Sequence, residues 1–529
     1  MHTKAFFLAI IIFLIAIFFR FWMLESVPPG LYPDEAMNGS NALYALKTGQ
    51  YHAFYPENNG REGLFMNIIA ASLWSFGNEP WAIRLISAIF GSLTVLGLFY
   101  FGREFFRGYE REKEKRIWGL AANEIIALSA SFFLAVSFWH INFSRIGFRA
   151  IMAPFFLVWS LYFLWLVFRP DLSENKKILS VSFSGIIFGL GAHSYIAYRI
   201  APVLLLIPFF IIVKNKIGYK YIFIFLLLAL AAFAPLGIYY LQNPSDFLGR
   251  TSQVSVFSEP SPLKSFLTNS VKTAGSFWIL GDLNPRHNFP ARPLLWWPVG
   301  ILFALGLIFT LTKNRKRLCV KFLWLWLFIF ALPAVLSSEG SPHALRSILM
   351  LPAVMYIGAI GFWEILRLLD KRFVILLFVF LAAHTAITYS DYFWRWANLP
   401  ATRAAFDSDY VDIGRWLNRQ PPDIKKYVLI NADGVLVASP DNPESRMIPM
   451  PSQTIMFLTG TWPEEERAKK NIYYVLEQNL AEADCSSSCV IAPLKGGAGI
   501  KTFVETAVGL KLEFSVKPGF GVFYKGFDI

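Results

Sequence analysis

The sequence predicts an all-α polytopic membrane bundle of about 11 transmembrane helices, followed by a small extracytoplasmic α/β domain. Three observations predict it. Of 529 residues, 55% are hydrophobic and only 16% are charged, against about 25% charged in an ordinary soluble domain. Apolar stretches of about 20 residues, enough to cross roughly 30 Å of hydrocarbon, recur from residue 5 to residue 390. Lys and Arg gather in the short loops between those stretches, which is how a membrane protein records its orientation. The net charge of +13 therefore reads as topology and excludes a nucleic-acid-tracking face.

The first apolar run, Ala5 to Trp22, is longer than the core of a secretory signal, and no Ala-x-Ala-like site follows it. It reads as a retained first helix. Basic clusters then occur at Arg103, Arg107, Arg111, Lys113, Lys115 and Arg116; at Arg169, Lys176 and Lys177; and at Lys214, Lys216 and Lys220. Two more run from Lys313 to Lys321 and across Arg367, Lys371 and Arg372. Two spans separate each cluster from the next, so all fall on one side, and that side is the cytoplasm. The loops 24–80, 140–150, 194–201, 241–293 and 337–345 then face outward, as does everything after about residue 391. Within the first of these, Gly63 to Phe76 is apolar but short, and is expected to lie along the outer leaflet.

Residues 1–395 form the membrane domain in this reading and residues 396–529 a soluble one. The later segment carries β-rich runs at Tyr427–Ile430, Thr454–Leu458 and Val490–Ala492, with helix-like sequence around 463–481. Lys495-Gly496-Gly497-Ala498-Gly499-Ile500-Lys501-Thr502 superficially resembles a phosphate loop, but Ile500 interrupts the required Gly-Lys-Thr, so it reads as a loop opening a helix. Cys319 lies beside a basic run and is expected to stay a cytoplasmic thiol. Cys485 and Cys489 have no second Cys or His pair for zinc; they read either as two independent thiols or as a small-loop disulfide.

Charged groups near membrane depth cost about 2.5–3.5 kcal/mol on insertion scales, so those that persist are commonly paired or functional. Here they concentrate at the outer mouths: Asp34, Glu35, Arg61 and Glu62 in the first loop; His140, Arg145 and Arg149 in the second. His193, Tyr195, Tyr198 and Arg199 follow in the third, and Glu339, His343 and Arg346 in the fifth. Arginine suits an anionic phosphate because its guanidinium bonds two oxygens at once, and a neighbouring carboxylate suits a general base. Blander roles compete. A helix opening at Glu35 would make Asp34 its N-cap, Arg20, Arg84 and Arg199 would snorkel to headgroups, and His140 and His193 would be satisfied bundle histidines. Arg61, Arg149 and Arg346 stand out as candidates for donor phosphate, each beside another polar group in a tight loop.

These residues resemble a known family. Leu31-Tyr32-Pro33-Asp34-Glu35-Ala36, Asn41-Ala42-Leu43 and Gly49 are followed by Gly60-Arg61-Glu62-Gly63-Leu64, Phe76-Gly77 and Ala82-Ile83-Arg84-Leu85. This order is similar to the first loop of the C-type glycosyltransferase superfamily of protein O-mannosyltransferases and lipid A aminoarabinose transferases. Weaker echoes are Ser144 to Arg149, Tyr195 to Pro202, Gly281-Asp282 through Pro293, and Ser341-Pro342-His343-Ala344-Leu345-Arg346. The resemblance implies a multi-span helical bundle with a polyprenyl- or dolichyl-phosphate sugar donor. It also implies transfer with inversion to an extracytoplasmic protein, lipid or glycan of the cell envelope. It makes Asp34 the catalytic carboxylate and Glu35 the adjacent acid. Glu62, His193, Tyr195, His287 and His343 are expected as substrate contacts. Some relatives carry an acid in the second outer loop, whereas His140 to Arg149 has none, so a divalent metal is left open. A transporter or flippase of lipid-linked sugars is the alternative, but it would call for mid-span charges and repeat symmetry, and neither stands out. A scaffold displaying the C-terminal segment would leave the outer-mouth charges without a purpose.

Overall fold

The computed structural model describes residues 3–109, 116–369, 374–442 and 444–526. Arg111, Lys113, Lys115, Lys371 and Arg372, which entered the topology argument, lie outside them. The chain packs as two compact units, Met1–Trp22 with Ser87–Trp396 and Met23–Ile86 with Ala397–Ile529. The second unit thus contains loop 24–80 as well as the C-terminal segment.

The first unit is helical, and the protein is an integral membrane protein. Among the described residues, eight helices are long and apolar enough to cross a membrane, from Lys4–Phe21 to Ile375–Trp396. The expected count near eleven differs because Ala122–Ala135 and Trp297–Thr312 are apolar but shorter. At 1.5 Å per residue, helices of 14 and 16 residues reach only about 21–24 Å. A third expected span, Glu174–Gly191, opens on the charged run Glu174-Asn175-Lys176-Lys177. Apolar helices gain no hydrophobic drive from associating within lipid, so close packing by small residues matters more. Gly361 provides such a contact: a Cβ there would lie 2.0 Å from the Leu302 carbonyl oxygen. The loop 241–293 is not irregular throughout, since it holds the helices Pro244–Gln253 and Pro262–Gly275.

Among the described residues the second unit holds nine strands. In the first loop β1 (Phe54–Tyr55) pairs antiparallel with β2 (Arg61–Glu62). The C-terminal segment contributes β3 (Lys425–Ile430), β4 (Leu436–Val437), β5 (Ile448–Pro449), β6 (Ile472–Leu476), β7 (Cys489–Pro493), β8 (Glu513–Lys517) and β9 (Phe520–Lys525). Five strands form one sheet in the order β6-β3-β7-β9-β8. β3 is parallel to both neighbours, while β9 is antiparallel to β7 and β8. Parallel strands covered on both faces read as continuous apolar runs, as Tyr427–Ile430 of β3 and Val490–Ala492 of β7 do. Alternation sends Val428 and Ile430 to a core with Ile413, Ile455 and Met456, and Leu429 to one with Ile491, Val504 and Phe523.

Thr454–Leu458, expected as a strand, lies in the helix Gln453–Thr459. A short run buried all round has no period with which to separate helix from strand. The stretch expected to be helix-like around 463–481 divides into the helix Glu464–Lys470, β6 and a 3-10 segment Glu477–Glu482. Lys495–Thr502 runs through a turn into the helix Ile500–Val508. Cys485 and Cys489 are joined in a disulfide, with Cα atoms 5.2 Å apart, and Cys319 is a free thiol.

The helix Pro33–Thr48 of the first loop packs on Gln453–Thr459. Gly39 permits the approach, because a Cβ there would lie 2.5 Å from the Phe457 ring. Thr454 Oγ1 donates to the Leu31 carbonyl at 2.8 Å and Ser40 Oγ to Gln453 Oε1 at 3.2 Å. Lys47 bridges Glu465 and Glu466 at 3.1 and 2.8 Å.

Candidate functional site

The helix that carries Asp34 begins at Pro33, with Tyr32 as its N-cap residue. Proline at the first position, preset in φ and lacking an N–H that would go unused, starts the helix two residues earlier than expected. Asp34 therefore lies inside the first turn and is not the cap. Its carboxylate is half-buried and accepts a hydrogen bond from the Asn58 side-chain amide. Asn58, Asn59 and Gly60 all have left-handed φ, at 51°, 63° and 79°. Asparagine and glycine adopt that region most readily, and this turn between β1 and β2 brings Asn58 to Asp34. An Asn-Asn-Gly turn is a signal the sequence carried, though nothing in it named Asp34 as the partner.

Glu35 is fully buried, and so is Arg84. Arg84 Nε and Nη2 donate to the two Glu35 oxygens at 2.9 and 3.1 Å. The remaining guanidinium edge donates to the carbonyls of Pro28 and Gly30 at 2.7 and 2.6 Å. Arg84 does not snorkel: it closes the loop 28–35 against a carboxylate one residue past Asp34. Two adjacent acids thus have different surroundings, one half-open and one committed to a buried pair.

Arg61, expected at the donor phosphate, is buried and points into its own loop. Its Nη1 and Nη2 donate to Asn38 Oδ1 at 2.8 Å and Asn41 Oδ1 at 2.6 Å, and Glu57 Oε2 lies 3.8 Å away. Those asparagines lie three apart on one helix, and nothing in the sequence marks either as a partner of Arg61. Glu62 is buried in β2, in register with Phe54.

In the membrane unit, Arg149 is half-buried at the start of a short 3-10 turn. Arg346 donates to the Glu339 carbonyl and carboxylate at 2.7 and 3.0 Å. His193 Nε2 lies 3.0 Å from the Ala232 carbonyl, as a satisfied bundle histidine would, and Tyr195 precedes the segment Ile196–Leu205. Arg20, expected to snorkel, is buried among the carbonyls of Ala16, Leu134 and Ala135, with His140 Nδ1 at 2.7 Å. Arg199 donates to the Phe247 carbonyl at 2.6 Å and the Tyr240 hydroxyl at 2.8 Å.

His287 and His343 converge on Asp282. Oδ2 of Asp282 lies 2.9 Å from Nδ1 of His287 and 3.8 Å from Nδ1 of His343. It also accepts the Ala344 amide at 2.8 Å, while Oδ1 accepts the Asn284 amide at 2.9 Å. Burial would lift the Asp282 carboxyl, but the His287 hydrogen bond, the neighbouring imidazoles and the Asn284 amide together hold it below its ordinary value. A cavity of about 590 Å³ in the same unit is lined by Phe133, Trp296 and Ile387 and by Arg292 and Arg395, which share the Asp391 carboxylate.

No protein-family model and no curated protein sequence matches the chain. Solved structures do. ArnT from Cupriavidus metallidurans bound to undecaprenyl phosphate superposes with a TM-score of 0.58 at 11% identity, over 98% of this chain and 97% of that one. The oligosaccharyltransferase from Archaeoglobus fulgidus in its apo form gives 0.51 at 13% identity, over 92% of this chain and 69% of that one. The chain has the fold that these two structures share.

Proposed function

We propose that the protein is an inverting glycosyltransferase that moves a hexosyl or pentosyl group from a polyprenyl- or dolichyl-phosphate to an extracytoplasmic acceptor. The observation that carries this reading is the division of labour between adjacent acids. Glu35 is fully buried and paired with Arg84, whereas Asp34 is half-buried and accepts from Asn58, on the loop that resembles the superfamily's catalytic segment. An acid positioned in this way suits a general base.

In the proposed reaction an acceptor hydroxyl or amine attacks the anomeric carbon. The carbon–oxygen bond to phosphate breaks, its electron pair leaves on the lipid phosphate, and the acceptor proton passes to Asp34. Attack opposite the leaving group inverts the centre. Asp34 is the catalytic residue, and Glu35 and Arg61 are positioning residues that hold its helix. Arg149 and Arg346 are proposed for the donor phosphate, because guanidinium groups bind such oxygens bidentately. The apolar cavity beside Arg292 and Arg395 has the mixed lining an isoprenoid phosphate requires, and ArnT is bound to undecaprenyl phosphate.

We also propose that all the basic loops are cytoplasmic, that the shorter apolar helices of the first unit complete a set near eleven spans, and that the second unit is exported. The test is to incubate purified protein with a panel of polyprenyl-phosphate sugars and measure free lipid phosphate. Release from at least one donor, dependent on acceptor, is expected. Uptake of an intact lipid-linked sugar into vesicles without release would overturn the transferase reading.

A further inference from the structure

A cavity of about 260 Å³ lies within the second unit, between the helix Pro33–Thr48 and residues 456–466. Its helix side is formed by Ser40, Leu43, Tyr44 and Lys47, whose spacing of three and four puts them on one face. That face is centred roughly 130° round the helix from Asp34. The cavity is therefore separate from the half-buried carboxylate, although both belong to the same helix.

Trp462 lines the cavity, is 3% exposed and meets the Tyr44 ring edge to face at 5.9 Å. Its Nε1 is a buried donor with no acceptor among the described residues. A buried indole N–H ordinarily finds one, and leaving it unmade is costly. Asn78, on the same wall, spends one amide hydrogen on the Phe457 carbonyl at 3.4 Å, which leaves its second hydrogen and its Oδ1 to bond elsewhere. Gly460, at φ 66°, turns the chain beside them without a side chain. A Cβ there would stand 3.5 Å from Asn78 Nδ2.

We propose that this cavity binds one neutral sugar unit of a glycan. Its volume is below the roughly 300–1,000 Å³ of sites for drug-sized ligands, which suits a single ring. Tyr44, Trp462, Leu43 and Met456 supply apolar surface for the C–H face of a pyranose. Trp462 Nε1 and the Asn78 amide meet its hydroxyls, which both donate and accept. At the rim, Lys47 and Lys469 each bridge Glu465 and Glu466, and Lys470 donates to the Thr459 carbonyl at 2.5 Å. Cations committed in this way do not select a phosphate or a carboxylate. A bare aromatic side chain would leave the indole N–H and the Asn78 amide unmet, whereas a polyhydroxyl ring satisfies both. A glycan held here is tethered to the helix that carries Asp34, and this binding does not depend on the transferase reading.

The test uses the full-length protein in a detergent without a sugar headgroup. Saturation-transfer NMR is recorded with the methyl glycosides of glucose, galactose, mannose and N-acetylglucosamine. Saturation of at least one is expected, strongest on the protons of one ring face. Asn78→Ala, and Trp462→Phe, which keeps an aromatic ring, should each weaken that binding roughly twofold to tenfold, the effect of losing one hydrogen bond. No saturation of any glycoside, or unchanged binding in either variant, would overturn the site. Stronger binding of p-cresol than of every glycoside would overturn the assignment to sugar. If Trp462→Phe fails to fold, Asn78→Ala decides alone.

Discussion

Glu35 and Arg84 form a two-point ion pair with both side chains 0% exposed, and the same guanidinium holds the carbonyls of Pro28 and Gly30. Burying two charges is costly, and the pair persists because every donor edge used has an acceptor. Removing one partner strands the other. Arg84→Met is therefore expected to destabilise the second unit by about 3–5 kcal/mol, and Glu35→Gln by less, since an amide still accepts. The double variant should lose less than the sum of the singles. Thermal unfolding in detergent measures this, and strict additivity would contradict the coupling.

Arg61 is expected to act on stability before it acts on donor. Losing a buried charged hydrogen bond costs about 1.5–3 kcal/mol, so Arg61→Ala should unfold earlier than wild type. Asn38→Ala/Asn41→Ala should reproduce much of that loss, because those residues accept from its two terminal nitrogens. An Arg61→Ala protein that unfolds like wild type but binds donor tenfold or more weakly would return Arg61 to the phosphate.

Asp441 supplies a pH dependence with a definite sign. Its partial burial would raise the carboxyl, but the Ser439 hydroxyl and the Glu464 and Glu465 amides bond it and hold it below the ordinary value. A depressed folded pKa stabilises fully above the unfolded value of about 3.9. That stability is lost as pH falls through the lower folded value. The gap in unfolding midpoint between wild type and Asp441→Asn should thus narrow on acidification below about pH 4. A gap that stays constant would mean the carboxylate's charge plays no part in capping the helix Glu464–Lys470.

Much of this was legible in the sequence, and the limits have physical causes. Apolar runs of span length and the Asp34-Glu35 pair are local signals, and both can be read residue by residue. Partner choice is not local. Nothing in Pro33-Asp34-Glu35 says that Glu35 meets an arginine 49 residues on, while Asp34 meets Asn58. Thr454–Leu458 reads as a strand because the run has no polar face; in the helix Gln453–Thr459 its Phe457 side is covered by the first loop at Gly39. Asp282 stood in the sequence beside His287, but His343 reaches it only after the chain has passed through two further helices, Trp297–Thr312 and Leu318–Val335.

Asp34 carries the central claim, and the helix geometry sharpens its test. Because Asp34 is not the N-cap, Asp34→Asn removes charge without removing a cap, and an asparagine still reaches Asn58. The decisive measurement is single-turnover release of lipid phosphate from a donor that the wild type uses, with Asp34→Asn and wild type compared at matched unfolding temperature. The account predicts a fall of about 10²–10⁴ in rate, the range for losing a general base, with donor affinity within a few-fold of wild type. A well-folded Asp34→Asn protein that turns over within a few-fold of wild type would contradict it.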